Sequence, residues 1–149
     1  AGMAADGWWI VGGGVKDITD PLYIVETFVE FIHETLRGGG LDPSISMLGT
    51  GYYFAVPWTE TLRIANELPG GLTRTNVMLA ARNLHIWHPL MMDGITYALD
   101  GAVDAYAIEG SDFSRFDAEA QTWNQIGDLV DANAGTPNCA WDKANGGCR

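Results

Sequence analysis

The order of hydrophobic patterns along the chain is the feature that most constrains its fold. An apolar run at Gly7–Val11 ends at three consecutive glycines, as a short buried strand does. Apolar residues then recur at helical spacing as far as Asn83. Between residues 95 and 126, apolar and polar residues alternate as they do in strands. One strand, three helices and a group of short strands predict an α/β fold. Because one strand cannot build a parallel sheet alone, we expect these elements to belong to a larger fold.

The first predicted helix has clear signals at both ends. Asp20 suits the N-cap, and Pro21 occupies the first helical position, where its missing N–H costs nothing. Three glycines at residues 38–40 end the helix. Its apolar stripe has helical spacing and consists of Leu22, Val25, Phe28, Val29, Ile32 and Leu36.

A second helix is predicted from about Thr50 to Leu68, where a Pro-Gly-Gly sequence ends it. Pro57 conflicts with a straight helix, so the helix either begins near Val56 or kinks there. The face that we expect to be buried consists of Phe54, Trp58, Leu62 and Ala65.

The rest of the chain combines one short helix with several strands. Thr73 or Thr75 caps the third helix, which ends near Asn83. Asp100-Gly101 predicts a tight turn between two strands, and the segment after Asp131 is expected to be irregular. The strands expected here are Ile95–Leu99, Ala105–Glu109, Ser111–Phe116 and Thr122–Ile126.

The charge balance limits the possible partners. The chain has 19 acidic and 8 basic residues, a net charge of −11 that is spread over both halves. Because no basic stripe is available to neutralise phosphates, the sequence argues against nucleic acid and anionic membranes as partners. The opening Ala-Gly-Met-Ala-Ala lacks the basic and apolar regions of a signal peptide. The chain is therefore either cytosolic or a mature or internal piece of a longer protein, and we favour the second.

The two cysteines, Cys139 and Cys148, predict a location outside the cytoplasm. The loop between them contains one asparagine and two glycines, which allow it to turn back on itself. A disulfide closing this loop would add on the order of 2–3 kcal/mol of stability. Two free thiols are the alternative, whereas a zinc site would need two more soft ligands. Since disulfides persist in oxidising compartments, we expect an extracytoplasmic protein.

Two short motifs raise the question of metal or nucleotide chemistry. His85, His88 and Asp93 are possible metal ligands, but the spacing fixes no third strong ligand. We therefore interpret both histidines as structural. Gly12–Gly14 precedes Lys16, yet the Gly-Lys-Ser/Thr of a phosphate-binding loop is absent. No cofactor follows from these motifs.

Two other functions are kept as alternatives. Asp112, paired with either Asp117 or Glu109, supplies the two carboxylates that a secreted hydrolase would need, although a solvated acidic face explains them as well. A secreted carbohydrate-binding module would require a β-rich fold with exposed stacking platforms. The tryptophans available for that role are Trp8, Trp58, Trp87, Trp123 and Trp141.

Three local sequences accompany the order of elements described above. These are the Asp42-Pro43 turn, the Tyr-rich helix opening Gly51–Ala55, and Phe113–Asp117 downstream of Asp100-Gly101. Together they resemble the C-terminal third of type I periplasmic binding proteins, in particular the leucine/isoleucine/valine-binding receptors of branched-chain amino acid ABC transporters. The resemblance extends from about Asp6 to Asp131.

The resemblance implies a two-lobed receptor that captures a solute between its lobes by hinge closure. Residues 1–131 would contribute to both lobes, and residues 132–149 would form an irregular tail closed by the disulfide. A missing N-terminal portion or companion chain would complete the cleft, and the membrane subunits of an ABC transporter would recognise the closed state. The implied ligand is a small amphipathic solute, an amino acid or amide, and no enzymatic activity is expected. The residues implied to line the cleft are Asp17, Thr19, Tyr23, Tyr52 and Tyr53.

Overall fold

The computed structural model describes residues 2–101, 106–132, 141–142 and 147–148, which form a mixed fold of helices and small antiparallel sheets. The helices are α1 (Thr27–Gly38), α2 (Gly49–Glu67) and α3 (Arg74–Arg82), with short 3-10 helices at Gly2–Ala5 and Ser46–Leu48. The strands are β1 (Trp9–Val11), β2 (His85–Ile86), β3 (Tyr97–Ala98), β4 (Gly110–Ser111), β5 (Phe113–Asp117), β6 (Thr122–Gln125), β7 (Val130–Asp131), β8 (Trp141–Asp142) and β9 (Gly147–Cys148). Among these residues, no helix combines the length and apolar character needed to cross a membrane.

The largest sheet has three strands in the order β1-β5-β6, and both pairings are antiparallel. Trp9 lies opposite Arg115, so the strand before the helices pairs with a strand far along the chain. Phe116 lies opposite Trp123, and their ring centroids are 5.0 Å apart. The prediction of two strands around residues 117–121 is confirmed by β5 and β6.

Helix α1 begins later than the sequence predicts. Glu26 is its N-cap residue, and the Asp20 carboxylate instead accepts a hydrogen bond from the Leu22 N–H at 2.8 Å, which stabilises a separate turn. The predicted start at Asp20 is therefore wrong, and Leu22 and Val25 are exposed instead of buried. The reason is local, because Asp20 satisfies a nearby N–H in a turn that does not continue into the helix.

The hydrophobic core contains the C-terminal part of the apolar stripe predicted for α1. Val29, Ile32 and Leu36 of α1 pack with Ile18 and Leu90, and all five side chains are buried. Burying a side chain of this size contributes roughly 1.5–3 kcal/mol. This part of the stripe is confirmed, and it places the loop before α1 and the segment after β2 against the same helix.

Helix α2 has the predicted extent and passes through Pro57 without ending. Its buried face carries Pro57, Thr61 and Ala65, whereas Phe54 is 65% exposed and Trp58 is 58% exposed. The predicted buried face is therefore wrong at these two aromatic residues, whereas Thr61 and Ala65, further along the same helical face, are buried. Helix α2 contacts α3. The predicted capping of α3 is confirmed, since the Thr73 hydroxyl accepts a hydrogen bond from the Asn76 N–H.

The segments after α3 differ from prediction in how they pair. β3 pairs with β2, although one hydrogen bond from Ala98 N–H to Ala107 O also spans the predicted turn. β8 and β9 form a short ladder, so the tail is not wholly irregular. Cys139 lies outside the described residues, and the disulfide with Cys148 stays a prediction.

Candidate functional site

The chain leaves β1 through glycines that wrap around the carboxylate of Asp112. Gly14 N–H donates to Asp112 Oδ1 at 3.2 Å, and the Ser114 hydroxyl donates to Oδ2 at 3.0 Å. Asp112 is only 6% exposed. A Cβ at Gly12 would overlap Oδ1 and lie 2.6 Å from Cγ of Asp112, so this position accepts only glycine without rearrangement. The glycine run is thus a cradle for a buried carboxylate and not a phosphate loop.

Lys16 fixes the next part of this loop. Its ammonium is buried and lies 2.8 Å from a Glu26 carboxylate oxygen, with Asp93 at 3.8 Å. The same ammonium stands 5.7 Å from the centroid of the Tyr23 ring. Because Glu26 is the N-cap residue of α1, this ion pair connects the loop to the start of that helix. Lys16 therefore positions the residues that follow it.

Asp17 is the most accessible acidic group of the loop. Its Oδ1 accepts hydrogen bonds from both the N–H and the hydroxyl of Thr19, each at 2.8 Å. Within the described part of the chain, Oδ2 has no hydrogen-bond partner. Asp17 and Val15 both border two open cavities, one on each side of the loop.

The helix-side cavity lies between this loop and the start of α2 and has a volume of about 370 Å³. Its wall combines apolar groups with hydroxyl groups, which suits an amphipathic molecule. Its principal lining residues are Asp17, Ser46, Thr50, Tyr53, Phe54 and Leu90.

The sheet-side cavity lies between the loop and strands β5 and β6, and its volume is about 560 Å³. Burial and then the negative charges of Asp20 and Asp112 raise the pKa of the Tyr23 phenol, which reflects the acidic character of this wall. No lysine or arginine is among its described lining residues. The principal ones are Asp17, Asp20, Tyr23, Asp112, Trp123 and Asn124.

Three of the five residues that the resemblance implies for ligand contact border a cavity, although not all three border the same one. Asp17 borders both cavities, Tyr53 lines the helix-side cavity and Tyr23 lines the sheet-side cavity. Thr19 lines neither cavity and donates two hydrogen bonds to the Asp17 carboxylate. Tyr52 packs toward the core, with its ring edge-on to Phe31 at 6.4 Å. Contact with a ligand remains a prediction for all five.

His88 is a buried part of this region that sequence analysis described only as structural. Its Nε2 lies 2.9 Å from the Tyr53 carbonyl, and its Nδ1 accepts a hydrogen bond from Leu90 N–H at 3.1 Å. Both nitrogens are thus engaged with backbone groups, while His85 is exposed on β2. Across the residues that the structure describes, no three histidine, cysteine or acidic side chains form a metal-binding group.

The tryptophans proposed as carbohydrate-stacking platforms do not form a single surface. Trp8, Trp58, Trp87 and Trp123 are exposed but lie on separate elements, and only Trp123 lines either cavity. The substantial helix content does not match the β-rich fold that a carbohydrate-binding module would need.

Comparisons of the chain with family models, with curated proteins and with solved structures find no match.

Proposed function

We propose that this chain is part of a non-enzymatic solute receptor of the type I periplasmic binding protein kind. It would capture a small amphipathic solute, an amino acid or amide, and present the closed state to the membrane subunits of an ABC transporter. The observation that carries the proposal is the position of Asp17, which borders two open cavities on a loop anchored by Lys16. Both cavity volumes fall in the range of about 300–1,000 Å³ that is typical of small-molecule sites.

The exposed apolar side chains around these cavities support a second part of the receptor. Phe54 on the rim of the helix-side cavity and Leu22 beside the sheet-side cavity are both exposed. Trp9 and Val11 are exposed on β1 as well. A companion portion that closes over these side chains would bury apolar surface and complete the cleft. Ligand binding would then stabilise the closed arrangement by contacts made only in that state.

The test is isothermal titration of the natively purified protein, with any polypeptide that accompanies this chain, against a panel of amino acids and amides. We expect one class of solute to give saturable heat. Asp17→Asn should weaken that binding by about 10- to 150-fold, since a hydrogen bond to a charged group contributes about 1.5–3 kcal/mol. Asp128→Asn is the matched control, because Asp128 is exposed and lines neither cavity. No heat from any member of the panel would refute the proposed ligand class.

A further inference from the structure

His88 is held in one protonation state by two backbone partners of opposite character. Leu90 N–H can only donate a hydrogen bond, so Nδ1 must carry a lone pair. The Tyr53 carbonyl can only accept, so Nε2 must carry the proton. The structure therefore specifies the neutral imidazole with its proton on Nε2.

Pro57 explains why the Tyr53 carbonyl is available to His88. In a regular helix this carbonyl would accept from the N–H four residues later, which is the position of Pro57. Proline has no N–H, so the carbonyl lacks its helical donor. His88 supplies that donor from outside α2, at 2.9 Å. The imidazole is thus a structural replacement for a backbone group that the helix cannot provide.

We propose that His88 is an acid-sensitive latch that holds two residues of the helix-side cavity wall, Tyr53 and Leu90. A proton added at Nδ1 would point at Leu90 N–H, break their hydrogen bond and release the segment that carries Leu90. Because Tyr53 and Leu90 both line this cavity, the release would loosen two of its walls and weaken solute binding. The effect on solute rests on the function proposed above, whereas the latch itself is a property of the fold.

The partners of the His88 ring are uncharged groups, the Tyr53 carbonyl, the Leu90 N–H and two tyrosine rings. His88 is 3% exposed, and its ring contacts Tyr53 from α2 and Tyr97 from β3, whose ring centroids lie 5.0 Å and 5.6 Å away. Burial raises the pKa of both phenols, so both remain neutral in the acid range. Lys16 contacts the same segment through its backbone, because its N–H donates to Leu90 O at 2.8 Å, and its ammonium is paired with Glu26.

The sign of the pH dependence follows from the buried ring. Burial lowers the pKa of His88 below its ordinary value, and the hydrogen bond to Tyr53 opposes this shift less strongly. The native state therefore binds a proton less readily than the unfolded chain does. The stability contribution is complete above about pH 6.5 and is lost as pH falls below it. Each pH unit in this range lowers the folding equilibrium constant by up to about tenfold, until the native pKa is reached.

The test is urea denaturation of the chain between pH 8 and pH 5 for the wild type, His88→Gln and His85→Gln. Glutamine at 88 keeps a donor for the Tyr53 carbonyl but cannot titrate. We expect the urea midpoint of the wild type and of the exposed His85→Gln control to fall with acidification. His88→Gln should start from a lower midpoint and lack this part of the decline. A decline in His88→Gln as steep as that of the wild type would overturn the proposal.

A second measurement keeps the proposal testable if His88→Gln does not fold. Hydrogen exchange at the Leu90 amide of the wild type, corrected for intrinsic rates, should lose protection between pH 7 and pH 5. Unchanged protection would refute the latch. Neither experiment uses a solute. If both give the expected result but no solute binds at any pH, the proposed function is refuted and the latch is not. Solute affinity that is independent of pH in this range would instead refute the proposed effect of the latch on solute binding.

Discussion

Gly12 and Gly13 are neighbours that should respond very differently to alanine. A Cβ at Gly12 would overlap the Asp112 carboxylate, whereas a Cβ at Gly13 would have no atom within 4 Å. Neither glycine has a positive φ, so alanine meets no backbone strain at either position. The comparison therefore isolates the steric conflict with Asp112.

The magnitude follows from the hydrogen bonds that Asp112 would lose. To admit a methyl group at Gly12, the carboxylate must leave both Gly14 N–H and the Ser114 hydroxyl. Hydrogen bonds to charged groups contribute about 1.5–3 kcal/mol each, so Gly12→Ala should cost about 3–6 kcal/mol. That is a large part of the roughly 5–15 kcal/mol by which a domain is stable. Gly13→Ala should instead stabilise by about 0.4–1 kcal/mol, because alanine restricts the unfolded chain.

Urea denaturation followed by far-ultraviolet circular dichroism measures both variants against the wild type. Asp112→Ala supplies the decisive background, because the obstructing carboxylate is then absent. In that background Gly12→Ala should cost little more, which a double-mutant cycle would detect as strong coupling. Equal losses for Gly12→Ala and Gly13→Ala, or additive losses with Asp112→Ala, would refute the reasoning.

Two further substitutions test the ends of the helices. Thr73→Ala should cost about 1 kcal/mol in the urea-derived free energy of unfolding, because Asn76 N–H loses its cap, whereas Thr75→Ala inside α3 should cost less. Equal costs would show that the cap is unimportant. Lys16→Met keeps the aliphatic stem but removes the ammonium that holds Glu26, and it should lower the free energy of unfolding by about 1.5–3 kcal/mol. A loss under about 0.5 kcal/mol would mean that the ion pair does not anchor the loop, because such losses are typical of unimportant surface sites.

The features that the sequence predicted well depend on local interactions. The extent of α2 follows from its spacing and from the glycines after Leu68, and the cap of α3 depends on Thr73 and a residue three positions away. The β5–β6 pair is similarly local, with a short turn between its strands. The order of the three helices and of the β5–β6 pair was therefore predictable, while the short strands β2, β4 and β7 were not predicted and the strand expected at Ala105–Glu109 is absent from its described residues 106–109. Membership in a binding-protein fold remains a proposal.

The errors arise where distant segments decide the outcome. The apolar spacing of Phe54 and Trp58 is the same whether they are buried or exposed. Thr61 and Ala65 lie further along the same helical face and are buried, so tertiary packing alone decides which part of this face is covered. The start of α1, by contrast, was missed for a local reason, because Asp20 caps a separate turn through Leu22 N–H, and Glu26 at the actual N-cap position makes no side-chain capping hydrogen bond that a pattern could reveal. The partner of β1 could not be inferred from spacing, because it lies at the other end of the chain.

In the candidate site too, local features were predicted and contacts between distant segments were not. Asp17, Tyr23 and Tyr53 were proposed because the resemblance implies that this loop and this helix opening lie near the cleft, and all three border a cavity. The cradle of Asp112 and the engagement of His88 were missed, since both depend on contacts between distant segments. One signal for His88 was present in the sequence. A proline inside a helix leaves a carbonyl that needs an outside donor, and a nearby buried histidine can supply it.

The contact between Asp6 and Ala118 joins residues that are 112 positions apart. A ribosome releases Trp8, Trp9, Ile10 and Val11 long before it produces their partner strand. During that interval the nascent chain exposes an apolar, tryptophan-containing segment that chaperones and neighbouring polypeptides can bind. Translation speed and chaperone supply should therefore influence the yield of this protein more strongly than they influence that of chains whose strands pair with near neighbours in sequence.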